Sequence, residues 1–243
     1  MKSSRIVISQ QQKVAIVTGA SQGIGAALVK ALRERGHAVV ATSRSIGASG
    51  DPGVVTVAGD IGCPETAERV VAEAIQRFGR IDLLVNNAGI FIAKPFTQYT
   101  AEDFAQKIAT NVAGFFYMTQ AAVRAMQRNG TGHVVSITTS LVDHALSVVP
   151  AVLASLTKGA LNAASRSLAV EYAARGIRFN TVAPGIVNTP MHPAAMHARL
   201  AALHPMGRMG EISDIVDAVL YLDSAKFVTG EVLHVDGGQS AGH

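Results

Sequence analysis

The sequence is poor in cysteine and has no long apolar run, and both absences narrow the classes to which it can belong. Cys63 is the single cysteine among 243 residues, which excludes an internal disulfide and a cysteine-based zinc site. No apolar run is long enough to span a bilayer, and the first 13 residues lack the apolar core of a secretory signal. We therefore expect a cytoplasmic protein without a membrane partner, beginning with a flexible tail over residues 1–12.

The net charge of the chain is small, and its basic residues do not cluster along the sequence. Lys and Arg number 21 against 17 acidic residues, for a net charge of +4, and they are scattered without interleaved aromatic residues. A groove for single-stranded nucleic acid needs a basic track and stacking aromatics, so no nucleic-acid partner is expected. The mild positive field would suit a phosphorylated cofactor, although an ordinary solvated surface is the simpler interpretation.

Short β-rich apolar runs alternate with longer amphipathic stretches along the chain. Because parallel strands are covered on both faces, such runs predict parallel strands joined by right-handed helical crossovers. The length fits one α/β domain over residues 13–243, a doubly wound Rossmann fold with a seven-stranded parallel sheet. Residues 188–210 break the alternation, and we expect them to form a lid. The seven runs begin at Val14, Ala38, Val54, Ile81, His133, Ile177 and Val232.

A glycine-rich turn follows the first predicted strand. Gly19, Gly23 and Gly25 stand between that strand and a helical stretch. Gly19 permits a tight turn, Gly23 a close backbone approach to a pyrophosphate, and Gly25 close packing of helix on strand. The helix N-terminus adds free N–H groups and a positive dipole end. Strand, turn and helix in this order indicate a dinucleotide site, although a plain strand-to-helix turn can carry the same glycines.

From about Lys13 to the end, the sequence resembles the short-chain dehydrogenase/reductase family. The glycine turn fits that family's TGxxxGxG motif, and its other motifs follow in order: an Asp-hydrophobic pair at 60–61, NNAG at 86–89, an active-site asparagine at 111, PGxxxT at 184–189 and a C-terminal VDGG at 235–238. The resemblance implies a nicotinamide cofactor. The predicted cofactor-binding residues are Gly19, Ser21, Gln22, Gly23, Ile24, Gly25, Ser43, Arg44, Asp60, Ile61, Asn87, Ala88, Gly89, Lys158, Pro184, Gly185, Val187 and Thr189.

The end of the second predicted strand bears on which nicotinamide cofactor the chain uses. An acid there would accept hydrogen bonds from the adenosine ribose hydroxyls and repel a 2′-phosphate. The strand ends instead in Ser43 and Arg44, which offer a hydroxyl and a planar guanidinium to a phosphate. This favours NADP(H) over NAD(H), with an exposed loop arginine as the alternative interpretation.

The catalytic position departs from the family pattern. The resemblance implies a Ser-Tyr-Lys set in which Tyr precedes Lys by four residues, on one face of a helix. Lys158 fits the lysine, but Ala154 occupies the tyrosine position. The chain's tyrosines lie elsewhere, and we expect them in helix packing (Tyr117, Tyr172), in the core (Tyr221), and at the surface or the pocket border (Tyr99).

The remaining predicted catalytic residues are Asn111, Thr139 and Ser140. Thr139 falls on the family's serine position with Ser140 next to it, and either hydroxyl can orient a carbonyl oxygen, although both can simply end a strand. A general acid needs reach and a suitable pKa. Three replacements for the missing phenol stay open: Ser155, His144, or Lys158 with Asn111 and a water chain.

Histidines and methionines are concentrated in the predicted lid. The i to i+5 spacing of His192 and His197 points them to different helix faces, and no acid or cysteine completes a ligand set with His204. No metal site is therefore expected. The methionines fit an adaptable apolar substrate pocket or packing of the lid; they are Met191, Met196, Met206 and Met209.

These features favour an NADP(H)-dependent oxidoreductase that moves a hydride between nicotinamide and a small carbonyl or alcohol substrate, with an atypical proton donor. The alternative is a catalytically silent dinucleotide-binding sensor or partner subunit. Ala154 favours that alternative, whereas Lys158 and Asn111 favour the enzyme. The resemblance also implies a homotetramer or homodimer that pairs helices at about 113–129 and 154–175.

Overall fold

The computed structural model describes residues 12–190 and 192–242. Their strands form one parallel sheet in the order β3-β2-β1-β4-β5-β6-β7, which confirms the predicted Rossmann fold. The predicted tail lies, except for Gln12, outside the described residues. The strands are β1 (Val14–Thr18), β2 (Ala38–Ser43), β3 (Val54–Ala58), β4 (Leu83–Asn86), β5 (Gly132–Ile137), β6 (Ile177–Pro184) and β7 (Val232–Val235).

Helices connect these strands across both faces of the sheet. Local signals set several of their ends: Pro64 starts one helix, the left-handed Gly79 ends it, and Thr100 and Asp103 form a capping box at the start of the next. None of the helices in the described ranges is long and apolar enough to cross a membrane. The helices are α1 (Gly23–Glu34), α2 (Pro64–Phe78), α3 (Ala101–Lys107), α4 (Gly114–Asn129), α5 (Val152–Tyr172), α6 (His197–Ala201) and α7 (Ile212–Ser224).

Two apolar layers cover the sheet, one on each face. In β1, Val14 and Ile16 join the layer that contains side chains of α2, α4 and α5, whereas Ala15 and Val17 join the layer formed with α1 and α7. All four side chains are fully buried. Since successive strand residues point to opposite faces, a strand covered on both sides is apolar along most of its length. This explains why the strands could be predicted from their apolar runs in the sequence.

Thr18 and Asn87 join β1 to β4 at the point where the strand order reverses. Oγ1 of Thr18 accepts hydrogen bonds from the backbone N–H groups of Asn87 and Ala88, both at 3.0 Å. Nδ2 of Asn87 donates to the carbonyl oxygens of Thr18 at 2.9 Å and Gly19 at 3.1 Å. In doubly wound sheets a ligand crevice opens outside the carboxyl ends of the strands at this reversal. The hydrogen bonds therefore define the inner edge of the crevice.

A π-helical segment, Ile108–Ala113, connects α3 to α4. Such wide turns are rare and often occur at functional sites. Asn111 lies within it and is almost fully buried. The segment brings this side chain against the loop after β4, where it contacts Ile90.

Residues 188–210 form an excursion from the sheet: the chain leaves after β6 and returns at Gly210 beside Val187. Val187 and Gly210 form an isolated parallel bridge, and the N–H of Gly210 donates to the carbonyl oxygen of Ile186 at 2.9 Å. A short 3-10 turn, Ala194–Met196, and α6 lie within the excursion. Met191 lies outside the described residues. The excursion is thus closed at its base beside the crevice.

The prediction for Tyr221 is wrong. Its side chain is 55% exposed, because aliphatic residues already fill the inward face of α7. Tyr117 and Tyr172 pack on the apolar layer, as expected of helix-packing residues. The hydroxyl of Tyr99 donates to the carbonyl oxygen of Ile92 at 2.8 Å, which is a packing role.

Gly25 sets how closely α1 approaches β1. A Cβ at this position would lie 2.2 Å from the carbonyl oxygen of Gly19 and 2.6 Å from Nδ2 of Asn87. We predict that Gly25→Ala lowers the free energy of unfolding by about 2 kcal/mol, as measured by urea denaturation, because backbone has to shift. Gly47→Ala is the control, since a Cβ at Gly47 would meet no atom within 4 Å. Equal stability of the two variants would contradict this close approach.

Candidate active site

A cleft of about 780 Å³ opens at the carboxyl ends of the strands, where β1 and β4 separate. Every predicted site residue lines it except Gly25 and Asn111, which lie beneath its surface. Segments that follow each of the seven strands contribute. The predicted residues that line the cleft are Gly19, Ser21, Gln22, Gly23, Ile24, Ser43, Arg44, Asp60, Ile61, Asn87, Ala88, Gly89, Thr139, Ser140, Lys158, Pro184, Gly185, Val187 and Thr189.

The N-terminus of α1 forms one end of the cleft. Gln22 is the N-cap residue and its side chain makes no capping hydrogen bond, so the first N–H groups of the helix remain available. Gly23 has φ +56°, a left-handed conformation that favours glycine, and a Cβ there would meet no atom within 4 Å. An uncapped, open helix start without acidic residues in its first turn is suited to a phosphate.

The end of β2 presents a hydroxyl and a guanidinium to the same cleft. Oγ of Ser43 is buried and finds no hydrogen-bond partner among the described residues. Arg44 is exposed and lines the cleft beside it. The next acid along the chain, Asp51, is bound by the Arg33 guanidinium at 2.9 and 3.0 Å and lies outside the cleft lining. The end of β2 itself therefore presents hydrogen-bond donors and no carboxylate to the cleft.

The loops after β3 and β4 form the floor. Oδ1 of Asp60 accepts a hydrogen bond from the backbone N–H of Gly62 at 2.8 Å, which holds the loop, and Ile61 is buried beside it. Asn86 points away from the cleft and donates to Oγ1 of Thr119 at 2.9 Å. Within the NNAG stretch, the first asparagine is therefore structural, and the second ties the strands together as described above.

Lys158 reaches the deep end of the cleft from α5. Its ammonium donates to the carbonyl oxygen of Ile137 at 2.7 Å. A Cβ at Gly89 would lie 2.9 Å from this nitrogen, so glycine is needed to leave room for it. Burial and, as the second cause, the nearby positive charge of Lys107 together lower the pKa of Lys158 to about 8. The cleft thus contains an amine whose pKa lies well below the usual range of lysine.

Asn111 supports the backbone next to Lys158. Its Oδ1 accepts from the N–H of Ile90 at 2.9 Å, and its Nδ2 donates to the carbonyl oxygen of Ile90 at 3.2 Å and to Oγ1 of Thr157 at 3.1 Å. All polar atoms of the side chain are therefore engaged. Asn111 fixes the loop after β4 instead of facing the cleft.

The two predicted hydroxyls have different surroundings. Thr139 caps a 3-10 turn, where its Oγ1 accepts from the N–H of Leu141 at 3.3 Å, and its hydroxyl hydrogen remains available. Ser140 is fully buried and donates to Oε1 of Gln239 at 2.7 Å. Gln239, from the C-terminal segment, lines the cleft and was not singled out from the sequence, because only the fold brings it beside Ser140.

Ala154 forms part of an apolar wall one helical turn before Lys158. It is 1% exposed and packs with Leu141 and Ala151. Phe91, Leu146 and Val149 extend this cluster. Of the proposed replacement acids, Ser155 donates to the carbonyl oxygen of Leu141 at 2.9 Å, and neither Ser155 nor His144 lines the cleft.

Residues of the 188–210 excursion form the outer wall. Met196, Leu200 and Leu203 give it an apolar surface, and His192 and Arg199 add polar groups that the sequence did not reveal as cleft residues. Of the other methionines described here, Met206 is exposed and Met209 is buried, and neither lines the cleft.

The three histidines of this excursion do not converge. His204 is buried; its Nε2 accepts from the N–H of Ile186 at 2.9 Å, while Nδ1 lies 3.1 Å from the carbonyl oxygen of Leu200. His197 lies 3.0 Å from the carbonyl oxygen of His192, and burial lowers the pKa of His192. Across residues 12–190 and 192–242, no group of three His, Cys, Asp or Glu side chains is arranged to hold a metal ion.

Comparison with known proteins agrees with this geometry. A family model described as enoyl-(acyl carrier protein) reductase matches residues 19–240. An uncharacterized oxidoreductase of Methylorubrum extorquens is 41% identical over 244 residues, covering 93% of this chain and 97% of that protein. The 3-oxoacyl-[acyl-carrier-protein] reductase FabG of Salmonella typhimurium is 36% identical over 246 residues, covering 95% of this chain and 98% of that protein.

Solved structures share the fold over nearly the whole chain. ElxO with NADP bound superposes with a TM-score of 0.90 at 27% identity, covering 96% of this chain and all of ElxO. The 3-ketoacyl-(acyl-carrier-protein) reductase from Brucella melitensis complexed with NADH gives a TM-score of 0.88 at 28% identity, covering 96% of this chain and all of that one. The chain therefore belongs to the short-chain dehydrogenase/reductase family of NAD(P)-dependent oxidoreductases.

Proposed function

We propose that this protein is an NADP(H)-dependent reductase that interconverts a small carbonyl compound and its alcohol, with a proton donor other than a tyrosine. One observation carries the proposal: a single cleft connects an open helix N-terminus and the Ser43–Arg44 corner to Lys158 and Thr139 at its deep end. Phosphate-binding groups and a proton-exchanging amine thus border the same space.

The cofactor preference rests on the Ser43–Arg44 corner. The unpartnered hydroxyl of Ser43 and the guanidinium of Arg44 fit a 2′-phosphate, and the uncapped start of α1 fits the pyrophosphate. The structural neighbours include one protein with NADP and another with NADH, so they do not discriminate between the two cofactors. The donors at this corner favour NADP(H).

Lys158 is the proposed source of the proton. Bound NADPH supplies the hydride, which adds to the carbonyl carbon of the substrate. Thr139 donates to the carbonyl oxygen and orients it, and the Lys158 ammonium delivers a proton to that oxygen through a water molecule, leaving a neutral amine that solvent reprotonates. With a pKa of about 8, Lys158 is mainly protonated at pH 7 and still a competent acid. Ala154 supplies no hydroxyl, which is why the ammonium takes this role.

The apolar wall limits the substrate and also favours a second candidate function. The cluster around Ala154 and the side chains of Met196, Leu200 and Leu203 suit an apolar carbonyl compound, and the 188–210 excursion would act as its lid. The same wall offers no group that binds a carbonyl oxygen, as expected of a silent dinucleotide-binding protein. NADPH binding without turnover would favour that second function.

Self-association is part of the proposal. Phe116 on α4 and Leu156 and Val170 on α5 are at least half exposed, although all three are large apolar side chains. Such residues on two neighbouring helices suit a symmetric contact between copies of the chain, as a homodimer or homotetramer.

Arg44→Ala should weaken NADPH binding roughly 10-fold to 100-fold and leave NADH binding nearly unchanged, because only NADPH offers a phosphate to the lost guanidinium. Fluorescence titration of both dinucleotides measures the two dissociation constants. Arg128→Ala, which removes an exposed arginine near the end of α4, controls for net charge. Equal losses for NADPH and NADH would contradict the assignment of this corner.

Carbonyl reduction should become slower as pH rises through about 8, because Lys158 loses the proton that it donates. NADPH oxidation across a panel of ketones, aldehydes and quinones, followed at 340 nm, identifies a substrate and gives this profile. Lys158→Met should reduce kcat by at least ~10²-fold. Lys30→Met, on the exposed side of α1, serves as the control. A pH-independent rate between 7 and 9 would exclude Lys158 as the acid.

Ala154→Tyr should raise kcat/KM for simple ketones by ~10²–10⁴-fold, because it places a phenol on the Lys158 face of α5. The neighbouring Leu141 and Ala151 have to make room for the ring. Ala154→Phe is the matched control, since it adds the same bulk without the hydroxyl. If Ala154→Tyr folds and binds NADPH but gains no activity over Ala154→Phe, the pocket has diverged beyond this one residue.

A further inference from the structure

Lys107, the last residue of α3, has no solvent-exposed surface. Burying an ammonium is costly unless it is paired, and lysine is rarely buried completely. Among the described residues, no carboxylate lies within ion-pair distance of its nitrogen; Asp103, the nearest acid on α3, is held by Lys94 at 2.5 Å. The buried Lys107 ammonium costs stability, and a charge that is retained at such a cost indicates a functional role for this side chain.

The contacts of Lys107 lead to the proposed catalytic groups. Its nitrogen donates to the carbonyl oxygen of Ile90 at 3.0 Å, and Asn111 donates to that same oxygen at 3.2 Å. The nitrogen also lies 5.6 Å from the ring centre of Phe91, which lines the cleft beside Ala154. Lys107 therefore supports both the loop after β4 and the apolar wall.

Lys158 approaches the same loop at the preceding residue. A Cβ at Gly89 would be 2.9 Å from the nitrogen of Lys158 and 3.3 Å from Oδ1 of Asn111, so these two groups lie close together beside Gly89. Asn111 in turn shares its acceptor with Lys107. The two lysines thus approach one short backbone segment, residues 89–90, and among the described residues neither forms an ion pair with a carboxylate.

We propose that Lys107 is a positioning residue that acts through Lys158. Its buried ammonium anchors the Ile90 carbonyl and places a second positive charge behind Lys158, so that Lys158 releases its proton more readily. The inference rests on the proposed function, in which Lys158 supplies the proton to the substrate oxygen. The electrostatic coupling between the Lys107 and Lys158 ammonium groups does not depend on turnover.

Electrostatics supports this arrangement. Two positive charges repel strongly where water is largely excluded, so each favours the neutral form of the other. Burial is the main cause that lowers the pKa of Lys158 to about 8, and Lys107 is the second. Burial also lowers the pKa of Lys107 to about 8, while Asp103 opposes the shift. Lys107 is therefore mainly charged at pH 7, when it acts on Lys158.

The test measures the pKa of Lys158 directly by NMR, from the Cε resonances of ¹³C-labelled lysine in the full-length apoprotein between pH 6 and 11. Lys107→Met removes the charge and keeps an unbranched side chain against Phe91; Lys107→Gln is a second uncharged variant. Both should raise the pKa of Lys158 by about one unit. Lys94→Met is the control, because the charge of Lys94 is already balanced by Asp103, and it should leave the pKa of Lys158 in place.

An unchanged pKa of Lys158 in either folded Lys107 variant would overturn the proposal. A wild-type Lys107 that is already neutral at pH 7 would overturn it without any variant. Where a substrate is available, the pH at which carbonyl reduction slows should move upward by the same amount in Lys107→Met. A coupled pair of lysines in a protein without turnover would leave this inference intact and contradict only the proposed function.

Discussion

The hydrogen bonds between Thr18 and Asn87 are the constraint on which the cleft depends. They join the carboxyl ends of β1 and β4 at the one place where the strand order of the sheet reverses, and they bring Gly19 against Ala88. The glycine turn, the start of α1 and the loop after β4 all take their positions from this joint. Without it, the phosphate-binding end and the Lys158 end of the cleft would not share a wall.

The deep end of the cleft combines features that oppose stability. Lys107 and Lys158 are desolvated cations that have no carboxylate partner among the described residues, and the wall beside them is made of Leu141, Ala151 and Ala154. Backbone carbonyl oxygens of Ile137 and Ile90 take the place of counter-ions. Burial lowers the pKa of both amines to about 8. In the proposed function, this shift is what would let Lys158 supply the proton in place of a phenol.

Much of the fold was predictable from the sequence, because both its strands and its glycine turn obey local rules. Strands such as β1 are buried on both faces, so apolar residues fill most of their length. Gly23 has a left-handed backbone conformation, which glycine adopts without strain. Lys107 could not be recognised as buried, because its position in α3 looks like an ordinary polar helix end. Gln239 likewise depends on its contact with Ser140, which joins two distant segments and which no local pattern records.

The most direct test of the proposed site is a crystal structure of the protein with NADP⁺ bound. We expect the 2′-phosphate to accept hydrogen bonds from Ser43 and Arg44, the pyrophosphate to lie on the N-terminus of α1, and the ammonium of Lys158 to bind the hydroxyls of the nicotinamide ribose. A dinucleotide bound outside this cleft, or one whose nicotinamide half is disordered while Lys158 contacts only the Ile137 carbonyl, would contradict the proposed reductase site.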